Sequence, residues 1–182
     1  MKSFPRSLAA TAGAVLLCSS AAAAQTVVIL PDTSQTTAVS VTVSEQARVV
    51  VPSGITFSVT NVGASTAASA ASVTVDQIVL ASATKQLKVT LKADASSFTP
   101  PVGGATTWAA ADVTWSAAAW TAAVGSAGTL SSAAYNTVAT CDANATACST
   151  SALVFTLAAK PAVQRSGTHT LVVTWKFESI GS

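Results

Sequence analysis

Side chains that carry out chemistry are scarce in this chain. Its 182 residues include one His, three Cys and one Tyr, with nine basic and seven acidic side chains. Catalysis and metal binding ordinarily need several titratable groups clustered around one point. The composition therefore favours a structural or binding protein over an enzyme, and we expect no cofactor and no metal.

The placement of these few groups agrees with that expectation. The single histidine, His169, has no Asp, Glu or Cys close to it in sequence, although a general base or metal ligand needs positioned partners. A surface histidine is the favoured interpretation. The acidic residues are scattered singly, whereas calcium loops and glycosidase pairs need apposed carboxylates. No G-x-S-x-G nucleophile motif is present.

The N-terminus has the three parts of a secretory signal peptide. Lys2 and Arg6 precede an apolar run over residues 8–17, and an A-x-A site at 22–24 precedes Gln25. A membrane anchor would need about 18 or more unbroken apolar residues, and small polar residues interrupt this run. The sequence therefore predicts cleavage after residue 24 and a secreted or cell-surface protein, with periplasmic transit in a Gram-negative host.

Cleavage would leave a chain without net charge. Two of the nine basic residues lie in the signal peptide, so seven basic groups face seven acidic ones, and 7 − 7 = 0. Binding to phosphate backbones or anionic lipid depends on a basic surface. Nucleic acid is therefore not an expected partner, and no membrane span is expected in the mature chain.

Two thiols remain after cleavage, Cys141 and Cys148, separated by six residues. In an exported protein such a pair is expected to close a disulfide loop. A metal site is the alternative, but no His or further Cys lies nearby and the spacing is not C-x-x-C. We therefore predict a disulfide.

Two-residue periodicity predicts the fold. Alternation of apolar and polar residues is clearest in three segments, 87–92, 153–157 and 170–178, as in half-buried antiparallel strands. Further β-branched runs occur at 39–43, 48–51, 55–60, 73–80 and 113–115. With frequent Gly, Pro and Asn turns between them, these runs predict an all-β fold, an immunoglobulin-like β-sandwich of about seven to nine strands.

Two regions are ambiguous in sequence. Residues 108–124 are rich in Ala, which suits a helix, but Val113–Trp115 suits a strand, and we predict a strand over 112–116 followed by irregular structure. Residues 64–72 are small and polar and are predicted to form a loop. We predict three segments in all, a signal peptide at 1–24, an N-terminal strand and tether at 25–38, and one β-sandwich domain at 39–182.

The predicted mature N-terminus begins with a short β-prone run on a polar tether. The run comprises Thr26, Val27, Val28, Ile29 and Leu30. An apolar strand on such a tether can complete its own sheet or that of a neighbour. Pairing within the chain is the favoured interpretation, and exchange between subunits as an assembly strand is the alternative.

Tryptophans raise the question of ligand stacking. Trp175 lies on the apolar face of the last predicted strand and is expected in the core. Trp108, Trp115 and Trp120 lie close together amid Ala and Ser, where they could stack on a sugar. Burial is the favoured interpretation for these three, since tryptophan is mostly buried in folded proteins.

The closing segment 166–175, Ser-Gly-Thr-His-Thr-Leu-Val-Val-Thr-Trp, is similar to the G-T-Y-T-x-x-V-x-W ending of small secreted immunoglobulin-like sandwiches. Together with the signal peptide and the Ser/Thr/Ala-rich strands, it makes residues 39–180 resemble bacterial surface proteins of fimbrial and spore-coat type. His169 replaces the usual aromatic residue. Pilins assembled by a chaperone and usher carry an aromatic residue next to the C-terminus, and Gly181 stands there instead.

This resemblance implies an extracellular structural, matrix or adhesive component. A nearly uncharged Ser/Thr/Ala surface carries little repulsion against self-association. We therefore expect a filament, coat or matrix subunit that pairs sheet edges with its own copies or with other surface proteins. A monomeric secreted binding module, with carbohydrate as ligand, is the alternative.

Overall fold

The computed structural model describes Ser34 and residues 36–182. The predicted signal peptide and the run Thr26–Leu30 lie outside the described residues. The chain divides between Val41 and Thr42 into two units. In the first unit the described residues are exposed and form no strand, whereas the second unit contains all of the strands.

The described residues form an all-β structure whose only helical element is a 3-10 turn at Ala110–Asp112. Its strands are β1 (Gln46–Val50), β2 (Thr66–Ala67), β3 (Ala71–Val79), β4 (Gln86–Ala93), β5 (Val113–Trp115), β6 (Ala123–Gly125), β7 (Gly128–Thr129), β8 (Asn136–Cys141), β9 (Cys148–Leu153), β10 (Phe155–Leu157) and β11 (Val173–Ile180). All of their pairings are antiparallel.

These strands make three sheets, in the orders β1-β3-β9, β2-β10-β5-β7 and β11-β4-β8-β6. The all-β, antiparallel part of the sequence prediction is confirmed, and the arrangement is sandwich-like. The longest pairing joins β4 to β11, from Val173 opposite Ala93 to Ile180 opposite Gln86. Because β11 pairs with no second strand among residues 36–182, its other edge is open.

One buried cluster draws on all three sheets. Val73, Leu91, Leu153 and Phe155 are each at most 2% exposed and pack in this cluster. A smaller cluster surrounds Cys141 and Cys148. Most of the free energy of folding comes from this apolar burial, since removing apolar area from water contributes about 25 cal/mol per Å².

The disulfide prediction is confirmed. Cys141 and Cys148 are bonded with their Cα atoms 5.8 Å apart, and each is only 1% exposed. The bond joins the last residue of β8 to the first residue of β9. It therefore ties together two strands that belong to different sheets.

Several predicted strands are present close to their expected positions. The runs at 48–51, 73–80, 87–92 and 113–115 correspond to β1, β3, β4 and β5, and the last strand begins at Val173 rather than at residue 170. The segment 153–157 is divided between the end of β9 and β10. Alternating side chains and β-branched runs located these strands correctly.

Two predicted strands are wrong. Residues 39–43 form no strand, and Val39, Val41 and Val43 are 88%, 85% and 68% exposed. Residues 55–60 also form no strand, although Ile55, Phe57 and Val59 are half-buried and the residues between them are exposed. At 55–60 the alternation marks the side chains that face an apolar surface, but it does not show whether the backbone finds a partner.

Other strands were missed, and the total of eleven exceeds the predicted seven to nine. Strands β6 to β9 consist mainly of Ala, Ser, Thr, Gly and Cys, which leave little alternation in size to detect. The predicted loop at 64–72 contains β2 and the start of β3. These short strands exist because neighbouring strands supply their partners.

A candidate docking groove

An open groove runs between two segments of the second unit. Its first wall is the segment 51–59 after β1, and its second wall is the segment 163–173 that leads into β11. One section has a volume of about 390 Å³ and the other about 780 Å³. Both are lined by Ile55, Phe57 and Leu171, so they form one continuous feature, called the groove below.

The floor of the groove is the main core itself. In the smaller section the apolar side chains of Leu91, Val113, Leu130 and Phe155 line it. Each of these residues is at most 4% exposed. The smaller section therefore lies over buried apolar side chains, whereas the wider section is also lined by polar residues, among them Thr56, Gln164 and Thr168.

Part of the backbone along each wall lacks partners within the described residues, although Val163, Thr170 and Val172 of the second wall are hydrogen-bonded to other backbone groups. Residues 51–60 make no backbone hydrogen bond to any other described residue, and neither do residues 164–169. Apart from the Arg165 carbonyl, which lies 3.3 Å from His169 Nε2, their peptide groups must then bond to water or to an incoming chain, since unpaired peptide groups are costly when buried. The groove is thus a gap with apolar side chains below it and free backbone groups on both sides.

Charge is nearly absent from the groove. Arg165 is the one Lys, Arg, Asp or Glu among its lining residues. The ion pairs of the described chain lie elsewhere, at Arg48–Asp76, Lys85–Glu45, Lys160–Asp112 and Lys176–Glu178. Such a lining suits an uncharged occupant.

His169 lines the wider section, and its side chain is held in place. Its Nδ1 is 2.8 Å from Thr107 Oγ1, and its Nε2 is 3.3 Å from the carbonyl oxygen of Arg165. Its ring meets Trp108 edge to face at 5.2 Å between centroids. The residue is half-buried and links the second wall to the core, a role that the sequence did not reveal.

The three neighbouring tryptophans differ in how deeply they are buried. Trp108 and Trp115 are 5% and 3% exposed, and their indole N–H groups donate to the carbonyls of Ala158 and Ser126 at 3.0 and 2.9 Å. These rings are core residues, in agreement with the favoured interpretation. Trp120 is half-buried and packs against the main core, and its Nε1 is buried without a hydrogen-bond partner.

Trp175 packs against the main core and lines the smaller section of the groove, where it is half-buried. On β11 it lies opposite Leu91. It was expected in the core, and the structure places it where core and groove meet.

A carboxylate at the start of β1 is tightly bound. Glu45 Oε1 accepts hydrogen bonds from Lys85 Nζ at 2.9 Å, from the Ala81 backbone N–H at 2.7 Å and from Ser179 Oγ at 3.3 Å. The bond from Lys85 is the largest cause of a pKa for Glu45 below the ordinary value. We call this arrangement the Glu45 clamp, and it holds the chain where the exposed segment 36–44 meets β1.

Within residues 36–182 no three or more His, Cys, Asp or Glu side chains lie together as they would to hold a metal ion. No helix in that part of the chain is long and apolar enough to cross a membrane. The groove is therefore the most distinctive surface feature of the described chain.

Comparison with known proteins identifies no relative, because no protein family, no characterised protein and no solved structure matches the chain.

The groove itself was not predicted. Its signal in the sequence is the pair of alternating segments at 55–60 and 170–174, which were both read as paired strands. Only the fold shows that the first segment lacks a partner and that the two segments face each other across a gap.

Proposed function

We propose that this protein is an extracellular structural or adhesive surface protein with an immunoglobulin-like sandwich, and that copies associate as a filament, coat or matrix by adding a strand to an open sheet edge. The observation that carries the proposal is the groove, a gap over apolar core side chains whose walls contain unpaired backbone at residues 51–60 and 164–169. A strand that enters such a gap gains main-chain hydrogen bonds and buries alternate side chains.

Two further features support the proposal. The bond between Cys141 and Cys148 suits an oxidising extracellular environment. The low content of charged residues, 9% of the chain, leaves little repulsion between copies. An unprotected strand edge is a recognised site of association, and proteins that stay monomeric normally block it.

The test is the state of association of the chain that begins at Gln25. Light scattering and electron microscopy over a range of concentrations should show oligomers or filaments. A chain that stays monomeric at high concentration would reject the proposal. Deleting residues 25–31 then tests whether the run Thr26–Leu30 is the exchanged strand, because its loss should abolish association if it is.

A monomeric carbohydrate-binding module is the second candidate, and the half-buried Trp120 is the feature that favours it. The burial of Trp108 and Trp115 argues against a stacking role for those two rings. A glycan array probed with the wild-type chain and with Trp120→Ala distinguishes the candidates. Binding that is lost in a folded Trp120→Ala variant would support this second function.

A further inference from the structure

We infer that the segment 38–44 of one copy is the strand that occupies the groove of a second copy. The inference rests on the proposed function and names the partner of the groove. The segment reads Ala-Val-Ser-Val-Thr-Val-Ser, with Val39, Val41 and Val43 at alternate positions.

The segment 38–44 exposes its apolar side chains to solvent. The three valines of this segment are 88%, 85% and 68% exposed, although such side chains are usually buried. In an extended chain, Val39, Val41 and Val43 project to one side and the Ser and Thr residues to the other. The segment therefore has the alternating apolar and polar pattern of a half-buried strand, and its three valines are exposed.

The segment 38–44 matches the groove in the spacing of its apolar residues and in its lack of charge. Same-face residues of an extended strand repeat every 6.7 Å or so, and on the first wall Ile55, Phe57 and Val59 are half-buried at alternate positions of the sequence. Segment 38–44 contains no charged residue. It suits a groove in which Arg165 is the one formally charged lining residue.

The backbone of an inserted strand would find hydrogen-bond partners in the groove. An inserted strand can pair with residues 51–60 on one side and, on the other, with residues 164–169 or with the open edge of β11 near Val173 and Trp175, which line the groove. Ser and Thr between the valines keep the outer face polar, as in half-buried strands. Insertion of the strand thus buries the three exposed valines and supplies hydrogen-bond partners for the unpaired backbone of residues 51–60 and 164–169.

Val43 lies two residues from the Glu45 clamp, far from the first wall of its own chain. The Glu45 clamp fixes residue 45 beside Ala81, Lys85 and Ser179. The first wall begins at Val51, at the far end of β1, six residues or about 20 Å along an extended strand. Val43 can reach only about 7 Å from Glu45. Val43 therefore cannot reach Val51 of its own chain, and the segment is assigned to the groove of a second copy.

Two single substitutions, each adding one carboxylate, test the inference in the chain that begins at Gln25. Val41→Asp places a carboxylate in the apolar groove, whereas the matched control Thr42→Asp places the same charge one residue away on the polar face. We expect Val41→Asp to weaken association at least tenfold and Thr42→Asp to leave it nearly unchanged, as measured by light scattering. Both positions are exposed in the single copy, so circular dichroism should show both variants folded.

A cross-link identifies the groove that is filled. A photoreactive benzoylphenylalanine at position 41, in a mixture of ¹⁴N- and ¹⁵N-labelled chains, should give cross-links to the walls at 51–59 or 163–173. Mass spectrometry should find mixed-isotope pairs. Pairs of one isotope only would mean that each chain fills its own groove, and they would overturn the inference.

The remaining outcomes separate this inference from the proposed function. Oligomers that Val41→Asp does not weaken would overturn the inference and leave the proposed function standing, with another segment as the exchanged strand. A wild-type chain that never associates would reject both.

Discussion

Trp115 and Gly128 face each other across the pair formed by β5 and β7. A Cβ atom on Gly128 would lie 2.3 Å from Cζ2 of the Trp115 ring, a distance that atoms do not tolerate. The glycine is needed here for space, because the ring occupies the place of a side chain. Its indole N–H then reaches the carbonyl of Ser126.

Gly128→Ala should therefore destabilise the fold. Overpacking of a core ordinarily costs about 1–3 kcal/mol, and we expect a loss of that size in the free energy of unfolding, measured by chemical denaturation. Gly103→Ala is the matched control, since a Cβ there meets nothing within 4 Å. Equal midpoints for the two variants would contradict the packing around Trp115.

The tryptophans differ in hydrogen bonding, so the same substitution should have different effects. Trp115→Phe removes a donor from the carbonyl of Ser126, whereas Trp120→Phe removes an N–H that has no partner. We expect Trp115→Phe to lower the free energy of unfolding by about 1 kcal/mol more than Trp120→Phe. Urea denaturation of both variants measures the difference, and a larger effect at Trp120 would show that the prediction is wrong.

Asp112 makes the stability of the fold depend on pH. Partial burial tends to raise its pKa, but hydrogen bonds from Lys160 and from the Ala109 backbone N–H outweigh burial and leave the pKa below the ordinary value. Since the folded pKa is lower than the unfolded value of about 3.9, ionised Asp112 stabilises the fold above that pH. This stabilisation is lost as the pH falls through the folded pKa.

Asp112→Asn should consequently be less stable than the wild type at pH 7, and the difference should shrink as the pH falls below about 4. Thermal unfolding at pH 7 and near pH 2.5 measures it. Asp142→Asn serves as the control, because Asp142 is exposed and its side chain makes no hydrogen bond or ion pair within the described residues. A difference at Asp112 that does not change with pH would contradict the role of the ion pair.

At the scale of elements, strands with large alternating side chains were predictable and strands of small residues were not. β4 and β11 show the first kind, where Val89, Leu91 and Phe177 define one face. β8 and β9 show the second kind, because Ala, Ser and Thr suit many conformations. The sequence also overpredicted residues 55–60, where a buried face exists without a backbone partner.

The bond between Cys141 and Cys148 was predictable because the predicted export of the chain and the six-residue spacing both favoured it. Its loop is short, so the chain-entropy account assigns it about 2 kcal/mol. The double substitution Cys141→Ala and Cys148→Ala should lower the free energy of unfolding by about that amount. Unfolding measured with and without a reducing agent provides the check, since only the wild type should respond to reduction.

At the scale of the whole molecule, association should depend on apolar contact and backbone pairing rather than on charge. Segment 38–44 is uncharged, and Arg165 is the one formally charged lining residue of the groove. Raising NaCl from about 0.05 to 0.5 M screens exposed charges almost completely. We expect the association constant to change less than threefold over this range, as measured by sedimentation. A steep loss of association with salt would point to a charged interface elsewhere.

The sequence by itself determined the antiparallel β class and the disulfide, because alternation and cysteine spacing act over a few neighbouring residues. It also contained the amphipathic segment 38–44, although that segment read as one more strand of the sandwich. Only the tertiary structure decided that these valines stay exposed and that residues 51–60 lack a backbone partner. Pairing joins residues distant in sequence, so whether an alternating segment is paired or left open depends on where the rest of the chain lies.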